Sequence, residues 1–84
     1  MGNFFPVAIS GAQMRAARGL IGWSQAELAD AAGLSRPTIE RAETKGASAE
    51  TLVALQRALE AAGVIFVAEN GEGPGVRLRK SKRR

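Results

Sequence analysis

Apolar residues along this chain recur at helical spacing in four segments and then change to a strand-like pattern near the C-terminus. In the first two segments, Gln13 follows Ser10 and Glu27 follows Ser24 at the capping-box spacing, which predicts a helix start at each serine. The third helix is predicted to begin at Ser35 or at Arg36, and a serine at position 48 opens the fourth. Glycines at positions 22, 33 and 63 fit the helix ends.

A β-hairpin is predicted after Gly63. Residues 64–68 are β-branched and aromatic, a glycine-rich stretch follows, and residues 76–79 alternate between apolar and basic side chains. Because the first strand is apolar on both faces, we expect one face to cover the helices and an edge or the other face to meet a second protomer. The residues predicted to serve dimerisation are Val64, Ile65, Phe66, Val67, Val76 and Leu78.

Composition limits the possible chemistry. Eighty-four residues with 45% apolar content allow one small domain with a modest core. The sequence contains no cysteine and no histidine, so it has no disulfide, no thiolate or imidazole zinc site and no histidine general base. We therefore expect no metal, no cofactor and no enzymatic activity. No apolar run approaches the ~20 residues that span a bilayer, and the N-terminus does not resemble a secretory signal, which predicts a cytoplasmic protein without membrane contact.

The net charge of +4 is mainly a property of the C-terminal end. Six of the twelve cations lie within the last eight residues, and residues 1–76 carry six cations against eight acids, a net charge of −2. The basic tail is either an arm that follows DNA or a solubilising end. Net charge alone is therefore a weak argument for nucleic-acid binding, and the placement of individual cations has to carry it.

The segment at residues 24–43 is the most informative part of the chain. It reads as two short helices joined by a turn at Gly33, with Leu28, Leu34 and Ile39 as apolar anchors. Between these anchors, polar and cationic residues of the second helix are left facing outward. A short helix with such a face, braced by a second helix packed across it, is the helix-turn-helix arrangement for reading a DNA major groove.

This segment resembles the Cro/lambda-repressor-type helix-turn-helix of the Xre family of small bacterial and phage regulators. The similarity runs from about residue 10 to residue 63, and Arg18 stands seven residues before Gln25, as in several family members. In those members this arginine pairs with the glutamate that corresponds to Glu43. The residues at matching positions are Gln25, Gly33, Ser35, Thr38, Ile39, Arg41 and Glu43.

The resemblance implies a mainly α fold, a four-helix lambda-repressor-like DNA-binding domain in which a C-terminal β-hairpin replaces the fifth helix. The predicted organisation is an N-terminal extension at 1–9, a helix-turn-helix domain at 10–63, the hairpin at 64–79 and a disordered basic tail at 80–84. It also implies a sequence-specific regulator of transcription that binds double-stranded DNA as a homodimer on a palindromic operator. The helix at 35–44 would enter the major groove.

Roles on the DNA-facing surface follow from the resemblance and from side-chain chemistry. Gln25 and the start of its helix would hold a phosphate. Arg36 contacts either guanine, through two parallel hydrogen bonds, or phosphate alone. Arg41 reaches either DNA or a neighbouring glutamate, and Glu40 either accepts from cytosine N4 or faces solvent. The full predicted DNA-binding set is Ser24, Gln25, Ser35, Arg36, Pro37, Thr38, Arg41 and Lys45.

Two other functions are compatible with the same pattern. In the first, the chain is the antitoxin of a toxin–antitoxin pair, so that the fold regulates its own expression and the hairpin binds a toxin or other protein partner. In the second, the fold serves protein interaction or RNA binding, which predicts no preference for any duplex site and a steep salt dependence.

Overall fold

The structure, a computed structural model, describes residues 8–80 of the chain. Within this range the helices are α1 (Gly11–Ile21), α2 (Gln25–Ala32), α3 (Arg36–Thr44) and α4 (Ala49–Ala61). The strands β1 (Val64–Val67) and β2 (Gly75–Leu78) follow and pair antiparallel. The predicted fold class, four helices with a C-terminal hairpin, is confirmed. Most of the predicted N-terminal extension and basic tail lies outside the described residues.

Each helix begins at a serine whose hydroxyl accepts a backbone N–H from the first turn. Ser10 and Ser24 form complete capping boxes with Gln13 and Glu27, as the spacing predicted. Ser35 accepts the N–H of Thr38 at 3.3 Å, which makes Ser35 the cap of α3. Arg36 is therefore the first helical residue and not the cap.

The turn between α2 and α3 depends on a left-handed backbone at Gly33, whose φ is 71°. Glycine adopts this conformation without the steric cost that a Cβ atom imposes. The Leu34 N–H then bonds the Ala29 carbonyl at 2.9 Å and closes the end of α2. Since the reversal is this tight, α3 packs directly against α2.

One apolar core lies between the four helices and the first strand. Every helix and β1 contribute side chains that are at most 6% exposed, so these five elements share a single core. Burial of each large side chain contributes roughly 1.5–3 kcal/mol. The core residues are Ile9, Met14, Ala17, Leu28, Ala29, Ile39, Ala42, Leu55, Leu59 and Val64.

The hairpin packs against the helices through one face. Val64 lies opposite Leu78 and Phe66 opposite Val76, and of these Phe66 and Val76 pack on the core that includes Val64. The amide of Gln13 donates to the Gly75 carbonyl at 3.1 Å and ties α1 to β2. The expectation that one hairpin face covers the helices is thus confirmed.

The predicted dimerisation residues divide between the two hairpin faces. Val64 is 0% exposed because it completes the protomer's own core, so it offers no side-chain surface to a second copy in this arrangement. Ile65 and Val67 alternate with the core-facing residues and lie on the opposite face, where Arg77 is the partner of Ile65. Leu78 is 48% exposed. No helix among residues 8–80 has the length and apolar character needed to cross a membrane.

The start of α1 lies in close contact with the end of α3. A Cβ atom added at Gly11 would overlap the backbone carbonyl of Glu43, whereas one added at Gly19 in the same helix would meet no atom within 4 Å. Gly11 is therefore required for packing, and Gly19 is not.

We predict opposite effects for alanine at these two glycines. Gly11→Ala should destabilise the fold by about 1–3 kcal/mol through overpacking. Gly19→Ala should stabilise it by about 0.5–1 kcal/mol through helix propensity. Urea unfolding followed by the fluorescence of Trp23, the single tryptophan, measures both changes. Equal effects of the two substitutions would contradict the close packing of α1 on α3.

Candidate nucleic-acid interface

The third helix has one face in the core and one in solvent. Ile39, Ala42 and Glu43 are buried, while Thr38 is half-buried at the boundary. These side chains hold α3 against α2 and α1. The remaining residues of α3 are exposed, so the helix offers a continuous outer surface to a ligand.

The outer surface of α3 contains a shallow hollow with polar and cationic walls. Four of its lining residues stand three, four and seven positions apart, the spacing that places side chains on one helix face. The fifth, Lys45, follows the helix directly. We call this set the outer α3 face; its residues are Pro37, Glu40, Arg41, Thr44 and Lys45.

Arg36 lies at the edge of the outer α3 face. With Ser35 as the cap, Arg36 is the first helical residue and Pro37 the second. Proline fits there because the N–H groups of the first turn have no partner within the helix. Arg36 is exposed, and its side chain starts from the end of the helix that would lead into a groove.

Three residues of the predicted DNA-binding set take part in hydrogen bonds at helix starts. Ser24 and Ser35 accept the capping N–H bonds of α2 and α3. The Thr38 hydroxyl lies 2.8 Å from the Ser35 hydroxyl, so the two form a pair at the start of α3. Contacts of these hydroxyls with DNA stay a prediction.

The Gln25 side chain points toward the protein interior. Its amide donates to a carboxylate oxygen of Glu43 at 3.2 Å, and the residue is half-buried. The phosphate contact stays a prediction, and the N–H groups at the start of α2 are the donors best placed for it. The Ser24 cap occupies the Glu27 N–H and leaves those of the first two helical residues.

Behind these surfaces lies a buried ion pair between α1 and α3. Arg18 donates through Nε to Oε2 of Glu43 at 2.7 Å and through Nη2 to Oε1 at 3.0 Å, a two-pronged geometry. The side chain of Glu43 is 2% exposed and that of Arg18 is 19% exposed. The structural pairing that the resemblance implied is therefore present.

The ion pair extends to two further positions. The third guanidinium nitrogen of Arg18 donates to the Trp23 carbonyl at 3.1 Å, in the connection before α2. Arg15 donates to the backbone carbonyl of Glu43 at 2.6 Å. Together with the Gln25 bond, these contacts link α1, the start of α2 and the end of α3 through Arg18 and Glu43.

The pKa values of the pair reflect this arrangement. Burial alone raises the pKa of Glu43, but hydrogen bonds from Arg18 and Gln25 and the charges of Arg18 and Arg15 outweigh burial and hold this pKa below its usual value. The hydrogen bond to Glu43 raises the pKa of Arg18 by more than burial lowers it. Both groups are therefore charged in the folded protein near neutral pH.

The sequence interpretation missed Thr44 and Arg15, and it weighed Glu40 without placing it in the predicted binding set. Glu40 and Thr44 line the outer α3 face but were not in the predicted binding set; their spacing from Pro37 was the signal that identifies them. Arg15 was missed because its contact is to a backbone carbonyl 28 positions away, which no local pattern indicates. Among residues 8–80 no group of three acidic side chains is placed to hold a metal ion.

Comparison with known families agrees with this geometry. A family model described as helix-turn-helix matches residues 14–61, more than half of the chain. The matched span runs from the first turn of α1 to the end of α4 and stops before the hairpin. No curated protein matches the chain significantly.

We predict that the Glu43 interaction makes stability depend on pH on the acidic side. Because folding lowers its pKa, Glu43 contributes fully above the ordinary glutamate pKa of about 4.3, and the contribution is lost as pH falls through the lower folded value. Glu43→Gln removes this titration. Denaturant unfolding gives the difference in free energy of unfolding between the unchanged protein and Glu43→Gln. This difference should be smaller at pH 3 than at pH 7. A difference of the same size at both pH values would contradict the ion-pair assignment.

Proposed function

We propose a function for this chain from its family: it belongs to the Cro/C1-type helix-turn-helix family of DNA-binding regulators. In this proposal the chain binds a specific double-stranded DNA sequence and regulates transcription as a homodimer. The family is not normally enzymatic. We infer a cytoplasmic location, where the DNA of a bacterial or phage regulator would be met.

The observation that carries this proposal is the division of α3 into a locked face and an open face. The locked face is fixed to α1 and α2 by core packing and by the Glu43 ion pair. The open face presents Arg36, Arg41 and Lys45 to solvent. A rigidly held helix with exposed cations and hydrogen-bonding groups suits the major groove, which admits one α-helix.

We assign Arg36 to base recognition and Arg41 and Lys45 mainly to phosphates. Arg36 starts at the first turn of α3, the end that contacts base edges in this mode of docking. Its guanidinium can donate two parallel hydrogen bonds to guanine O6 and N7. Arg41 and Lys45 lie toward the other end of the helix, where we expect the phosphate backbone to pass. Their positive charges would strengthen binding to a duplex of any sequence.

The start of α2 is proposed as a second phosphate contact. Its first N–H groups carry the positive end of the helix dipole, and Ser24 holds that turn in shape. Because the Gln25 amide is tied to Glu43, a phosphate bound here would be linked through one side chain to the buried ion pair. This contact would set the orientation of α3 in the groove.

We propose that two copies join through the outer face of the hairpin. Ile65 and Val67 lie on this face, only partly buried, with no core behind them. Apolar side chains in such a position favour contact with another protein surface. A two-fold dimer would place two α3 helices about 34 Å apart, one turn of DNA, on a palindromic site.

The DNA contacts are tested by replacing both helix arginines. Arg36→Ala should cost about 1–3 kcal/mol at the preferred site, and Arg36→Ala/Arg41→Ala should abolish sequence-specific binding. Site selection from a random duplex pool identifies the preferred sequence, and fluorescence anisotropy measures the affinities. Circular dichroism should show an unchanged fold, because both side chains are exposed.

A matched control removes two cations from the end of the hairpin. Arg79→Ala/Lys80→Ala removes the same charge outside α3. It should weaken binding to the preferred site and to unrelated DNA by a similar small factor. If this control reduced binding to the preferred site as strongly as the helix double variant, the assignment of Arg36 and Arg41 would be wrong.

The dimer interface is tested by a charge on the outer hairpin face. We expect Ile65→Glu to convert the dimer to a folded monomer, since glutamate opposes association and can pair with Arg77 across the ladder without disturbing the strand. Leu20→Glu introduces the same charge at an exposed apolar position of α1 and should leave the dimer intact. Sedimentation equilibrium measures both.

Two results would change the proposed assembly. A dimer that survives Ile65→Glu would place the interface elsewhere. Co-purification of a second, different chain that is lost on Ile65→Glu would instead favour the antitoxin function, in which the same face binds a toxin.

A further inference from the structure

An acidic side chain lies within the surface proposed to read DNA. Glu40 is exposed and lines the outer α3 face with Pro37 and Thr44, three positions before and four positions after it. Arg36 stands four positions before Glu40, on the adjoining edge of the same surface. The carboxylate is therefore next to the groups that would meet base edges.

No group within residues 8–80 neutralises this carboxylate. Arg36 and Arg41 both stand near it in sequence, but neither forms an ion pair with it. The Thr44 hydroxyl donates to the Glu40 backbone carbonyl at 2.9 Å, a contact that does not involve the carboxylate. Both carboxylate oxygens are thus available as acceptors on the outer α3 face.

An unpaired negative charge here opposes binding to DNA in general, because the duplex carries one phosphate charge per about 1.7 Å. A carboxylate can only accept hydrogen bonds, so it matches a base edge that offers a donor. In the major groove cytosine presents the N4 amino donor, whereas guanine and thymine present acceptors that repel it, and adenine places its N7 acceptor beside its donor. Pro37, its neighbour on this face, has no side-chain hydrogen-bonding group to read the same position.

We propose that Glu40 determines specificity by accepting a hydrogen bond from cytosine N4, so that each half-site requires one C·G base pair at a fixed position. This inference rests on the proposed DNA-binding function and deepens it. Glu40 acts chiefly by rejection: it lowers affinity for unrelated DNA and restores it where cytosine supplies the donor. The cations of α3 attract any duplex, and Glu40 restricts which duplex is retained.

The test compares site selection by four proteins on a random duplex pool. They are the unchanged chain, Glu40→Ala, Glu40→Gln and the control Glu72→Gln, in which the same neutralisation is made in the hairpin loop at another exposed glutamate. Competition binding then measures the unchanged sequence against the three alternatives at each position. Circular dichroism establishes that all four proteins are folded.

For the unchanged chain we expect one position at which C·G is preferred by about five- to 150-fold. Glu40→Ala should lose that preference while its affinity for unrelated duplex stays equal or rises. Glu40→Gln should shift the same position toward A·T, since an amide can both donate to N7 and accept from N6 of adenine. Glu72→Gln should select the original sequence.

Two outcomes would overturn this inference in distinguishable ways. If Glu40→Ala selected the same sequence as the unchanged chain with the same preferences, Glu40 would be a solvated surface acid and the proposed DNA-binding function would stand. If no protein of the set enriched any sequence, the proposed sequence-specific function would fail, and the role of Glu40 would fail with it.

Discussion

The buried ion pair between Arg18 and Glu43 is the interaction on which the geometry of the DNA-facing surface depends. Core packing brings the four helices together, but apolar contacts alone leave some freedom of sliding and rotation between short helices. Two parallel hydrogen bonds at 2.7 and 3.0 Å have a defined direction, and a carboxylate that is 2% exposed cannot exchange them for water. Since Gln25 and the Trp23 carbonyl join the same network, the start of α2 and the end of α3 are fixed relative to α1 by shared atoms. Loss of Arg18 would leave the buried charge of Glu43 without its ion-pair partner, so the network favours one arrangement of helices.

The rigid packing behind α3 keeps its exposed side chains in defined positions. A helix that reads base edges must place its side chains with little error, because hydrogen bonds weaken rapidly with distance and angle. Here the hydroxyls of Ser24, Ser35 and Thr38 are used for capping, and the Gln25 amide is used to brace Glu43. The exposed side chains of α3 that make none of these contacts lie on the outer α3 face and at Arg36. Within that set the cations supply attraction and Glu40, in our proposal, supplies selectivity.

The hairpin shows how one short element serves two requirements. Its inner face completes the core through Val64, Phe66 and Val76, and the bond from Gln13 to Gly75 holds it on α1. Its outer face keeps Ile65 and Val67 partly exposed, at a cost in solvation that a second chain would remove. Because the family match ends at residue 61, the hairpin is the part of this chain where assembly can differ from that of other family members. This separation between a shared DNA-facing unit and an individual C-terminal element is consistent with our assignment of dimerisation to the hairpin.

The sequence by itself determined the starts of α1, α2 and α4 and the hairpin. Caps, glycine turns and apolar periodicity are local, so Ser10, Ser24 and Gly33 specify their elements without reference to the rest of the chain. The ion-pair partners were also within reach, through resemblance to a known family. Only the tertiary structure decided which residues distant in sequence form hydrogen bonds with each other and which side chains enter the core. It separated Ser35 from Arg36 as the cap of α3, turned Gln25 inward to Glu43, placed Val64 in the core and brought Arg15 and Gly11 against the end of α3. Most of these outcomes depend on contacts between residues 18 or more positions apart in the chain. The choice of the α3 cap depends on which of two adjacent residues packs better as the helix start. A pattern of residue types fixes the faces of an element, but the contact between two faces is settled only when they are packed together.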